Sequence, residues 1–140
     1  MPALRDVEQT AVKKSAIWFD TVSEELGHAD RYASYMAIRL ALHAVRDRLP
    51  RQEAIALGEQ LPLLIRGIFY EGWHDQGNRQ LSESEQFRIE GCYGLDGRKY
   101  SSLEIMQAVC RAMSSWISEH SAMQIRAILP AELMPSLEDA

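Results

Sequence analysis

The stretch DRYASYMAIRLALHAVRDRLP, residues 30–50, decides the fold. Tyr35, Ile38, Leu42, Val45 and Leu49 recur at alternating spacings of three and four, which is the period of one helix face. Asp30 stands where an N-cap belongs and Pro50 halts the pattern, so the spacing predicts a helix between them. A stripe of this kind must be covered by another element, and the flanking sequence supplies more helices to do it.

Toward the N-terminus, Val7, Ala11, Ser15, Trp18, Val22 and Leu26 form a second stripe that Gly27 closes. Toward the C-terminus, Ala54, Leu57 and Leu61 mark a shorter helix. Pro62 then opens LLIRGIFY, which is apolar nearly all round and is therefore predicted to be central. EGWHDQGNRQ, residues 71–80, has turn chemistry and no periodicity and reads as the main loop. Ser82 with Glu85 makes a capping box before a short helix holding Phe87, which Gly91, Gly94 and Gly97 then fray. Ser101 with Glu104 makes a second box. From it Ile105, Val109, Met113, Trp116 and Ile117 run as a long stripe, followed by Ala122, Ile125 and Leu129 up to Pro130. Nothing alternates with period two over a strand's length. The expected fold is all-α, a single-domain helical bundle spanning residues 1–140, with a loose acidic tail after Leu133.

An offset of 68 residues lays Met36–Ile65 over Glu104–Leu133 and superposes the two Leu-Pro steps, Leu61-Pro62 and Leu129-Pro130. Four of these thirty pairs are identical and fourteen are apolar in both copies, against about ten for random overlap of segments this rich in apolar residues. We therefore read two tandem related helical repeats, at about 15–73 and about 82–134, joined by a loop at about 74–81.

The 140 residues are 46% hydrophobic and 25% charged, the balance of a folded domain rather than a disordered one. A net charge of −5 repels phosphate backbones and anionic surfaces, so nucleic acid is not an expected partner. No segment approaches the roughly 18 continuous apolar residues of a membrane span, and the N-terminus has no signal-peptide pattern. A soluble cytoplasmic protein is expected. Cys92 and Cys110 belong to no CxxC pair and are read as reduced thiols at helical apolar positions.

The stretches WFDTVSEELG (18–27), AIRLALHAVRDRLP (37–50) and EAIALGEQLPLLIRGIFYEGW (53–73) resemble the bacterial proteins grouped as domain-of-unknown-function family 2267. Phe87 to Leu133 resembles that family's weaker second half, so essentially the whole chain is covered. QLPLLIRG-x-FYEGW is the most specific part. Members usually carry an acidic or Asp-Pro step after the Trp, where this chain has His74-Asp75. The resemblance implies an all-helical fold and no particular activity.

Charge is unequally shared between the halves. The first carries Arg46-Asp47-Arg48 and Arg66 where the second has Ser114-Ser115-Trp116 and Met134. Arg39, His43, Arg46 and Asp47 share one flank of the 30–50 helix, either as a receptor for an acidic partner or as a solvated face with internal pairs. Arg66 interrupts an apolar helix and must reach Asp47, Glu71 or a buried carbonyl, as a structural clamp or a ligand anchor. Phe69, Tyr70 and Trp73 form either an aromatic interface patch or core beneath a loop.

No HExxH, CxxC or histidine cluster marks a metal site, and no GxSxG elbow or phosphate loop marks catalysis, so no cofactor and no catalytic residue are assigned. The leading expectation is a module that binds a protein partner, or itself, through Arg46, Arg48, Tyr70 and Trp73. The alternative is a small-molecule binder or minor enzyme with a pocket between the halves, using Arg66, Tyr70 and Glu71.

Overall fold

A computed structural model of the chain describes residues 3–74 and 91–129. Helix α1 (Leu4–Glu25) leads into α2 (Arg31–Arg48), α3 (Arg51–Glu59) and α4 (Leu63–Tyr70). A two-stranded antiparallel sheet of β1 (Cys92–Tyr93) and β2 (Lys99–Tyr100) precedes α5 (Ser102–Met113) and α6 (Glu119–Ile128). The protein is thus mostly helical, as the periodicity predicts.

α2 is the hub, packing against α1, α4, α5, α6 and β1. Its buried face carries Ala33, Ala37 and Ala41 beside Ile38, Leu42 and Val45, and the small side chains let neighbouring helices approach closely. Asp30 is its N-cap, with Oδ1 accepting from Ala33 N at 2.8 Å. α1 ends in a Schellman motif: His28 N donates to Ser23 O, Gly27 N donates to Glu24 O, and Gly27 takes φ +73°. α5 starts in the predicted capping box of Ser101 and Glu104.

Three local expectations are corrected. LLIRGIFY is not central: only Ile65 and Phe69 of α4 are buried, while Leu63 and Leu64 face outward. An apolar run eight residues long fixes no orientation by itself, and the packing of Arg66 settles it. The Gly91–Gly97 segment is not frayed helix but the hairpin β1–β2, in which Cys92 pairs with Tyr100 and Tyr93 with Lys99. Cys92 therefore sits on a strand, whereas Cys110 is on α5 as expected; both are buried free thiols, and burial pushes Cys110 up to about 12. Strands two residues long leave no alternation to read. The stripe through Trp116 and Ile117 is also broken, because α5 stops at Met113 and Ser118 caps a new helix, its Oγ accepting from Ser121 N. The predicted Ser82–Glu85 box, the Phe87 helix and the tail lie outside the described residues.

Candidate functional site

The last carbonyls of a helix lack intrahelical partners and carry its negative dipole end, so cations gather there. Three arginines of this protein do that work. Arg98 Nη1 and Nη2 donate to Gly27 O and Leu26 O at the end of α1. Arg46 Nη1 donates to Phe69 O at 3.0 Å and Glu71 O at 2.8 Å at the end of α4. Arg66 Nε donates to Gly58 O, and its Nη2 to Glu59 O and Leu61 O, at 3.0–3.1 Å. These last three carbonyls lie at the end of α3.

The flank of α2 expected to receive a partner is therefore occupied from within. Arg46 is 6% exposed, its Nε also pairing with Asp47 at 2.8 Å. Its place on an open surface is overturned, because a guanidinium with two carbonyls to satisfy is drawn into the α2–α4 junction. Arg39 pairs with Glu71 Oε1 at 2.9 Å. Arg48 is half-buried in the last turn of α2. Arg66 reaches carbonyls rather than Asp47 or Glu71, one of the outcomes its sequence context allows.

His43 Nε2 lies 2.7 Å from Ile68 O. Burial holds its pKa below the ordinary imidazole value, and the Arg46 and Arg39 cations add to this against the pull of Ile68 O and Asp47. The unfolded chain therefore binds this proton more readily than the folded one. Its contribution to stability is full above about pH 6.5 and is lost as the pH falls toward the depressed folded value. Urea unfolding at pH 7 and pH 5 is expected to show a loss of stability that His43→Gln reduces. An equal loss in the variant would remove His43 as its cause.

Tyr70 Oη donates to Ile55 O at 3.3 Å, and its ring meets Phe69 edge-on and Trp73 at a centroid distance of 5.6 Å. Burial, with the Glu59 carboxylate, raises the phenol pKa against the opposing effect of Arg66. Trp73 is half-buried against the core. The three aromatics thus form a graded stack, from buried Phe69 to partly open Trp73.

An open cleft of about 520 Å³ lies between the N-terminal half of α1 and the α3–α4 corner. Its apolar surface comes from Val7, Ala11, Leu61, Pro62, Leu63 and Trp116. Lys14, Asp6 and Glu59 bring both signs of charge to its walls. Gln60, also in the lining, is held: its amide donates to Ala56 O and Ser121 Oγ, and its Oε1 accepts from Ser118 N. Of the expected pocket residues, Arg66 lines the cleft but Tyr70 and Glu71 do not.

This cleft is not legible in the periodicity of the sequence, where Val7 and Ala11 read as part of the one apolar stripe that runs on to Leu26. In fact Val7 is 41% exposed and Ala11 half-buried. The available signal was length. α1 has 22 residues against 12 in α5 and 18 in α2, so part of its stripe outruns the helices that cover it.

Among the described residues no three His, Cys, Asp or Glu side chains gather as metal ligands would, and no helix is long and apolar enough to cross a membrane. The family model of an uncharacterized conserved protein, DUF2267, matches residues 16–135. The chain belongs to the DUF2267 family. The match begins at the turn of α1 just beyond Lys14, so the cleft wall formed by Asp6 to Lys14 lies N-terminal to it, while the Arg46 and Arg66 junctions of this DUF2267 protein lie within it. No curated protein matched the chain.

Proposed function

We propose that this DUF2267 protein is a helical interaction module whose cleft takes an apolar side chain of another polypeptide, with the half-open Trp73 and the half-buried Arg48 as further surface residues. The observation that carries this reading is the uncovered stripe of α1. Val7 and Ala11 continue the line of buried Trp18 and Val22, yet face a cleft instead of a helix. Exposed Leu63 and Leu64 extend the apolar surface past the cleft mouth, as a polypeptide ligand would use it. Arg46, Tyr70 and Glu71 act from behind by fixing α4. The constant offset that sets Arg51, first residue of α3, over Glu119, first residue of α6, supports the reading of two related halves.

A small amphipathic ligand is the competing occupant, since pockets for such molecules span roughly 300–1,000 Å³. A photo-crosslinking residue placed at Val7 in intact cells separates the two. The expected result is a polypeptide adduct that Ala11→Glu abolishes while the helical circular dichroism is kept, with none from the same residue at exposed Met123. Equal adducts from both positions would remove the cleft from the account. A tightly held small molecule in native mass spectrometry would transfer it to the alternative.

A further inference from the structure

At the other end of α1 the hairpin turn of residues 94–97 is fastened on several sides. Gly94 N donates to Arg98 O at 2.8 Å and Gly97 N to Gly94 O at 3.0 Å. Leu95 N donates to Asp30 Oδ2 at 2.8 Å, so one carboxylate both caps α2 and anchors the turn. Arg98 spans the gap to Leu26 O and Gly27 O, and its guanidinium lies 5.1 Å from the Tyr100 ring centroid. A Cβ on Gly94 would stand 2.6 Å from Asp30 Oδ2, so glycine is what lets the turn lie this close to α2.

In this fixed turn Leu95 is 78% exposed, more than any other large apolar side chain among the described residues. A single exposed leucine is ordinary. Here it is held on a rigid mount, which lowers the ordering cost of inserting it elsewhere. An apolar cleft of matching chemistry is present on the same molecule but out of its own reach. The helix between Thr10 and Gly27 separates the two sites by about 25 Å at 1.5 Å per residue.

We propose that Leu95 of one copy of this chain enters the α1/α3–α4 cleft of a second copy. This rests on the cleft's accepting a polypeptide and names the partner. Asp96 and Lys99 lie beside the knob in sequence, and Asp6, Lys14, Glu59 and Arg66 line the cleft, so a tip with charges of both signs meets a receptor with charges of both signs. Knob and cleft are different surfaces. The contact is therefore heterologous, and repeated use builds a ring or an open chain of copies.

Sedimentation of the purified full chain over roughly a thousandfold range of concentration, up to about 1 mM, tests this. The weight-average mass is expected to climb from the monomer's 15.9 kDa with concentration. Leu95→Glu and Leu63→Glu, both at exposed positions, are each expected to weaken assembly at least about tenfold. An equimolar mixture of the two variants is expected to stop at one-to-one dimers, because one retains a cleft and the other a knob. A wild type that stays at monomer mass, or assembly that survives Leu95→Glu, overturns the proposal. Crosslinking from Val7 keeps the two readings apart: a monomeric wild type that crosslinks to a foreign polypeptide defeats only the self-pairing, and one that crosslinks to no polypeptide defeats both.

Discussion

Arg46→Met is expected to destabilise the fold by about 3 kcal/mol, the scale for removing one partner from a buried charge network. The methionine keeps the apolar stem packed, so the loss is that of the guanidinium. Two acceptors are then stranded. Phe69 O and Glu71 O lose their shared donor at a junction where Phe69 is fully buried, and an unsatisfied buried carbonyl costs about 1–3 kcal/mol. The pairing with Asp47 adds little, because that carboxylate is half exposed. Arg46→Lys is expected to recover less than half of the loss, since one ammonium cannot reproduce a planar fork that serves Asp47 and two carbonyls at once. Urea unfolding with an unchanged slope measures both variants. A loss below about 1 kcal/mol for Arg46→Met would mean that the carbonyls find water instead.

The second large effect is one of sign. Within a helix, Gly→Ala ordinarily stabilises by about 1 kcal/mol. Gly58 of α3 is expected to do the reverse, by about 2 kcal/mol, because the new methyl would overlap the Tyr70 hydroxyl and lie 2.5 Å from Cζ. The ring cannot swing aside cheaply: Ile55 O holds its hydroxyl, and Phe69 and Trp73 pack against the ring. In a Tyr70→Leu background the same substitution is expected to be neutral or stabilising. The resulting double-mutant cycle isolates the contact, and additivity of the two changes would show that Gly58 and Tyr70 do not compete for space.

The helices were legible wherever a stripe was long and its ends were marked. α2 is the clearest case, since Asp30 and Pro50 bound it and four of its five stripe residues are buried, Tyr35 being half-buried. Ser101 and Glu104 announced α5 in the same way. Rank in the core was not legible. α4 looks more apolar than α2, yet α2 is the hub, because centrality depends on how many neighbours a helix can admit, and alanines that score low on hydrophobicity admit the most. The candidate site was half legible. Arg66 reads as a charge in need of a partner, whereas Arg46, beside Asp47 in a polar run, reads as a surface residue. Its true acceptors are more than twenty residues away in sequence. The hairpin gave no warning, since its anchor Asp30 was already accounted for as a helix cap.

The three arginine fasteners have a consequence for how the molecule responds to its surroundings. Guanidinium groups and peptide carbonyls neither gain nor lose protons across the range in which carboxylates and imidazoles change state. The fastenings at the ends of α1 and α3 are thus built from parts blind to acidity, whereas the end of α4 also carries His43 against Ile68 O. Asp30 is of the other kind: hydrogen bonds from Ala33, then from Leu95 and Asp96, hold its carboxyl below the usual range, and what it secures is released as acid overtakes that value. Acidification is therefore expected to reach the α4 corner first, through His43, and only at lower pH to release Leu95 N and the start of α2 from Asp30, leaving the turn tied to the end of α1 by Arg98.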